Sequence, residues 1–379
     1  TSVGLNVTIT GNDQLLVVDL GALQSAGGNI TISGNLVMQS VDLGSLATVD
    51  GSLTISGNPA LNAILISGVT SIGGDLTVVG TAATVIDMSA VTTVGGSLDV
   101  SGNAAATAIN MGALTSVGGS LTVSGNSAAD PINMASLTTV GGSLDLSGNT
   151  SVSSIDLGGV TTVGGSLTVS DNPAADPINM SSLTTVGGAV TVSGNVSVVG
   201  VALTKKDSAG SVDISDNASV SSIDLGGVTS VSGDLTVVDN GGAAVDMSAG
   251  ATVGGSVTIE TTSTGAFPMG GTSVAGDLTL DATGYTDMSG TTPGGMLDLT
   301  STNLEAVMHL QIQAATFTTP VGFSLTRVDP VDLLPESGLN ASGSPATIDP
   351  VAAYQFTFAV PTLNRDAMLS FDIDVTQLV

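Results

Sequence analysis

The side chains in this chain that could do chemistry are mostly carboxylates and carboxamides, and they recur at one spacing. Aspartate or asparagine stands at Asp19, Asp42, Asp87, Asn110, Asn133, Asp156, Asn179, Asp224, Asp246 and Asp287, with Leu65, Ala202 and Pro268 interrupting the series. A second series is purely amide: Asn12, Asn35, Asn58, Asn103, Asn126, Asn149, Asn172, Asn195, Asn217 and Asn240, broken at Gly80. Regular carboxylates could bridge calcium, and paired ones could exchange protons with a substrate. The partners that complete most active sites are scarce. There is one histidine, His309, no cysteine or tryptophan, two tyrosines, and four basic residues, Lys205, Lys206, Arg327 and Arg365. No cluster of unlike groups converges as a catalytic site requires, so the expectation is a non-enzyme.

The charge balance excludes further classes. With 32 acidic residues and a formal net charge of -28, the chain cannot neutralise many phosphates. Nucleic-acid binding and docking on anionic lipid are therefore not expected. Disulfides and thiolate metal sites are impossible without cysteine. No apolar run approaches the ~18 residues that a membrane-spanning helix needs. Thr1 falls inside patterned sequence with no basic or apolar leader before it, which reads as a processed, secreted chain.

Side chains in register need an element that repeats with them. A glycine precedes each apolar-Thr-apolar segment at Gly4, Gly28, Gly51, Gly74, Gly96, Gly119, Gly142, Gly165, Gly188, Gly210, Gly233 and Gly255, at intervals of 22 to 24 residues. Gly276 and Gly295 follow at shorter intervals. Within one unit, Ser166-Leu167-Thr168-Val169-Ser170 alternates apolar and polar, and Ile178-Asn179-Met180 does so again. Period-two alternation with β-branched residues predicts half-buried strands. The chain is expected to be all-β, a parallel right-handed β-helix (solenoid) of about 13–14 coils with a 22–23-residue period. Each coil carries two strands and a third extended edge, with glycines at the corners.

Stacking makes each column repeat, because every residue rests on its counterpart one coil away. The asparagine column should form a buried ladder in which each amide bonds the next turn. Met88, Met111, Met134, Met180 and Met247, alternating with Leu157 and Leu225, read as core filler. Sequons at Asn149, Asn195 and Asn217 should be blocked by the ladder, leaving Asn6, Asn29 and Asn340 as glycosylation candidates. A hydroxyl column (Thr31, Thr54, Thr77, Thr122, Thr168, Thr191, Thr236, Thr258) resembles the faces of ice-binding solenoids, but Asp99, Asp145, Asp213 and Asp298 break it.

Units such as GSLTISGNPALNAILISGVTSIGG, from Gly51, resemble the receptor L-domain repeat, the β-helical leucine-rich module of insulin- and growth-factor-receptor ectodomains. They are also similar to repeats of fungal cell-wall glycoproteins and bacterial surface proteins. The resemblance spans roughly residues 1–300. It implies a right-handed β-helix in an extracellular or cell-surface setting and carries no catalytic residues.

The period is lost near Met296, where phenylalanines and prolines accumulate. Runs at 314–317, 323–328, 354–360 and 368–375 predict a small C-terminal β-sandwich. The expected domains are therefore a solenoid over 1–299 and a β-sandwich over 300–379. Asp372 and Asp374 share one face of the last run, a weak calcium candidate; no cofactor besides calcium is expected. Residues 1–12 open on a repeat strand without a cap, which predicts an exposed solenoid end. The expected function is a structural subunit that self-assembles, head-to-tail or through the C-terminal domain, into a filament, sheath or coat. The alternatives are a monomeric adhesin or stalk that binds cell-surface glycan or protein, and, more remotely, an ice-binding solenoid.

Overall fold

A computed structural model describes residues 1–203, 210–248, 250–261 and 272–274, together with the backbone of eight later strands: Gly265–Pro268, Leu278–Ala282, Tyr285–Thr291, Leu297–Asn303, Ala306–Ile312, Gly322–Val328, Ala353–Phe358 and Leu369–Asp374. Lys205, Lys206, Gly276, Gly295, Asn340 and the run 314–317 lie outside the described residues. The described chain is all-β and contains no helix. It is a parallel β-solenoid of about eleven turns with a period of ~23 residues. The sequence markers suggest 13–14 coils. Beyond Ala244–Asp246 three strands per turn persist, through Thr252–Val253, Val257–Thr261 and Gly265–Pro268 and then Ser273–Val274, Leu278–Ala282 and Tyr285–Thr291, while the strands lengthen to as many as seven residues.

Two compact units make up the chain, Thr1–Val220 and Ser221–Val379. In the first, the turns from Ser2–Val3 to Thr185–Val186 contribute three strands each. A four-residue strand such as Leu121–Ser124 pairs in parallel with its counterparts, from Val7–Thr10 to Val212–Ser215. A two-residue strand forms a nine-stranded parallel sheet, from Ser2–Val3 to Thr185–Val186. The expected third edge is thus a strand in its own right. The remaining strand, typified by Ser40–Asp42, forms shorter sheets that break between Ala63–Leu65 and Val85–Asp87 and again after Ile132–Asn133.

The core is aliphatic. In one turn Leu98, Val100, Ala106, Ile109, Met111, Leu114 and Val117 are all buried. Each such Leu, Ile or Val stabilises the fold by about 1.5–3 kcal/mol relative to exposure. The methionine column is buried throughout, as core filler should be.

In the second unit, Leu235–Val238, Val257–Thr261, Leu278–Ala282 and Leu297–Asn303 continue the parallel pairing. Of the four strands expected near the C-terminus, the three among the described residues form, at Gly322–Val328, Ala353–Phe358 and Leu369–Asp374. They extend the solenoid's own sheets. Ala306–Ile312 pairs antiparallel with Leu297–Asn303 and then with Leu369–Asp374. Gly322–Val328 likewise pairs antiparallel with Tyr285–Thr291 and with Ala353–Phe358. One column shifts relative to the sequence reading: Pro268 faces Ser289, and Asp287 faces Ala266.

Candidate functional site

The candidate residues are columns, and each column has a bonding pattern. The Asn ladder is buried from Asn35 to Asn240. Asn126 shows its logic. Its Oδ1 accepts from the Asn103 backbone N–H at 3.1 Å, and its Nδ2 donates to the Val100 carbonyl at 2.8 Å. Nδ2 also reaches Asn149 Oδ1 at 3.3 Å, and the Asn126 N–H donates to that same oxygen at 3.1 Å. Each amide thereby satisfies backbone groups that the corner buries. Asn12, in the first turn, is exposed, and its Nδ2 donates to Thr10 of its own turn at 3.2 Å and to Asn35 Oδ1 at 3.0 Å.

The apparent gap at Gly80 is a difference of register. Gly80 has φ +63 and belongs with the left-handed glycines Gly57 and Gly102. Thr81 fills the amide slot, its N–H and Oγ1 both donating to Asn103 Oδ1 at 3.0 and 2.8 Å. Asp171, Asp216 and Asp239 take the left-handed glycine position at φ 55 to 58, a region that Asp tolerates better than most residues.

A second ladder escaped the sequence reading. The side-chain oxygens of Asn6, Asn29, Ser52, Asp75, Ser97, Ser120 and Ser143 each accept the backbone N–H of the residue one turn on, at 2.8–3.1 Å. The Gly-Gly pair before this column is explained by close approach. A Cβ at Gly141 would run into the Gly118 carbonyl oxygen, and one at Gly142 into Ser120 Oγ. Asn6 and Asn29 are exposed, yet both carry ladder bonds. Asn149, Asn195 and Asn217 are buried, as expected of blocked sequons.

The regular Asp/Asn series acts locally. Asp42 Oδ1 accepts from the Gly44 N–H at 2.8 Å, and Asp156 Oδ1 accepts from Gly158 at 2.9 Å and from Asn179 Nδ2 at 2.9 Å. This is the Asx turn, which either Asp or Asn can make. It explains why the two residue types interchange along the column. Threonines form a further ladder, with Thr115, Thr138 and Thr161 Oγ1 donating to the preceding turn's carbonyl at 3.0–3.2 Å.

Two features stand outside these ladders. Asp99, Asp145 and Asp213 each hold one buried carboxylate oxygen with no hydrogen-bond partner. They lie in the threonine column: Asp99 pairs with Thr77 and Thr122, and Asp145 with Thr122 and Thr168. The other feature is a cavity of about 400 Å³ at the break between Ala63–Leu65 and Val85–Asp87, lined by Ser40, Asp42, Asn62, Leu65, Thr84 and Val85 among others. Leu65 and Val85 are 50% and 48% exposed there. Leu65 occupies an Asx-turn position, so its turn has no side-chain acceptor.

No group of three or more His, Asp or Glu side chains able to hold a metal ion occurs among the described residues. Asp372 and Asp374 fall in Leu369–Asp374, opposite His309 and Val307 in register, and their side chains are outside the described set. No helix among the described residues is long and apolar enough to cross a membrane. The fold and its bonded columns define the chain as a β-solenoid repeat protein. Comparison with protein-family models, with curated proteins and with solved structures found no match.

Proposed function

We propose that this chain is a non-enzymatic, extracellular structural protein whose solenoid is a building block of a filament, sheath or surface coat. One observation carries the reading. The polar columns that could do chemistry are engaged in bonds within and between turns, Asn126 with Asn103 and Asn149, Thr138 with Thr115, Ser143 with Ser166 and Asp42 with Gly44, which supports a structural role for the repeat. The repeat's resemblance to surface-protein modules supports the extracellular setting.

Electron microscopy of the purified chain tests this reading, in buffers of rising salt with and without calcium. Extended particles are expected. Dispersed particles of the 36.7-kDa monomer under every condition would contradict it.

The cavity beside Leu65 favours one second reading, a stalk that binds glycan or protein. Binding on a glycan array that Leu65→Asp abolishes, without assembly, would support the stalk over the filament.

A further inference from the structure

The cavity beside Leu65 opens where one strand column breaks while its neighbours hold. Leu53–Ser56 pairs with Leu76–Val79, and Ser71–Ile72 pairs with Thr93–Val94. Ala63–Leu65, between them in the chain, does not pair with Val85–Asp87. The break falls where the chain is one residue short: Asn58 lies six residues before Ile64, but Thr81, the next ladder residue, lies five before Ile86. Bonds that other turns make are missing here. The Leu43 N–H donates to the Leu65 carbonyl and the Met88 N–H to the Asn110 carbonyl, both at 2.9 Å, but Ile66 makes no such bond to Asp87. The Asn62 N–H donates to the Gln39 carbonyl at 3.0 Å and the Thr107 N–H to the Thr84 carbonyl at 2.8 Å, but Thr84 makes none to Asn62. Asn62 and Thr84 both line the cavity, so a backbone carbonyl and a backbone N–H face the break without each other. At its base Ile64 is 8% exposed, against 2% for Val41 and 0% for Ile86 in the same column.

The lining is rich in acceptors and carries uncompensated negative charge. Asp42 Oδ1 is held by the Gly44 N–H, and Asp87 Oδ1 by the Ser89 N–H at 3.0 Å, which fixes the two carboxylates one turn to either side of Leu65. The described side chains include no lysine or arginine to pair with them. Ser40, Asn62 and Thr84 add side-chain oxygens, while Leu65 and Val85 form a half-exposed apolar wall. Lysine and arginine match this combination. Their methylene stems cover apolar surface, and their heads donate to carboxylate and carbonyl oxygens. No aromatic side chain lines the cavity for a sugar ring to stack on.

We propose that this cleft docks a lysine or arginine side chain from an extended segment of a basic partner protein. The charged head sits against Asp42 and the Asn62 carbonyl, and the stem lies along Leu65 and Val85. The volume of about 400 Å³ is at the small end of the ~300–1,000 Å³ of ligand sites, enough for one such side chain with main chain beside it. The net charge of -28 steers a basic partner toward the chain, and the cleft gives it a specific seat. This inference rests on the stalk reading and names the chemistry of its partner.

Fluorescence anisotropy of a labelled peptide of alternating alanine and lysine, titrated with the full-length chain, tests the proposal. Saturable binding is expected, and none when glutamate replaces lysine in the peptide. Asp42→Asn keeps the Asx turn and removes one charge, and should weaken binding about tenfold. Asp156→Asn makes the same change in the same column, where Asp156 Oδ1 likewise holds the Gly158 N–H, at 2.9 Å. Asp156 flanks the break after Ile132–Asn133, whose cavity is only about 10 Å³, so this variant should bind the peptide as the parent does. Equal weakening by the two variants would mean attraction to net charge alone and would overturn the proposal. Absence of peptide binding, together with glycan binding that Leu65→Asp abolishes, would overturn it and leave the stalk reading standing. Binding of neither peptide nor glycan would overturn both.

Discussion

Asn126 makes or accepts four hydrogen bonds, all with residues about one turn away, from a site that is 0% exposed. Replacing it with alanine leaves the Asn103 N–H and the Val100 carbonyl buried without those partners, at a cost of about 2–4 kcal/mol. Asn12→Ala, at an exposed position, should cost under ~1 kcal/mol. Urea-unfolding midpoints check the contrast, and equal shifts would contradict it. Glycines separate in the same way. Gly148 has φ +65 and its nearest neighbour for an added Cβ is 3.5 Å away, so Gly148→Ala should cost only the left-handed backbone term, about 1–2 kcal/mol. Gly141→Ala sets a methyl against the Gly118 carbonyl, where backbone must move. It should be the more damaging of the two, read as the larger fall in the unfolding midpoint.

At the scale of the element, the solenoid, its period and the asparagine ladder were legible because each is written as a column of identical residues. The Ser/Asx ladder after Gly-Gly was not. Asn6, Asn29, Ser52, Asp75 and Ser97 share only an acceptor oxygen, and no one residue type marks the column. The Asx turns were not legible as turns: the column suggested calcium-bridging carboxylates, and Asp and Asn, alike in turn chemistry, differ in charge. Thr81 was missed because a 22-residue turn shifts the alignment by one place. The strands near the C-terminus were legible as alternating runs. Their pairing onto repeat strands depends on strand order, which no local pattern encodes. Leu65 offers a test at this scale. Leu65→Asn restores an Asx acceptor without adding charge between Asp42 and Asp87, and should stabilise by about 0.5–1 kcal/mol. A lowered unfolding midpoint would show that the leucine contributes more by packing than its turn loses.

For the whole molecule, the dominant quantity is the net charge of -28. Copies that meet must overcome mutual repulsion, which falls as salt shortens the Debye length from about 30 Å at 0.01 M to ~3 Å at 1 M. Hydrogen bonds and apolar burial between copies survive that change. Association should therefore strengthen with added salt, the reverse of an assembly held by opposite charges. Sedimentation velocity of the purified chain across this salt range is the most direct measurement. The account predicts that the 36.7-kDa species gives way to progressively larger ones as salt and concentration rise. A single monomer boundary at every salt and concentration would contradict it.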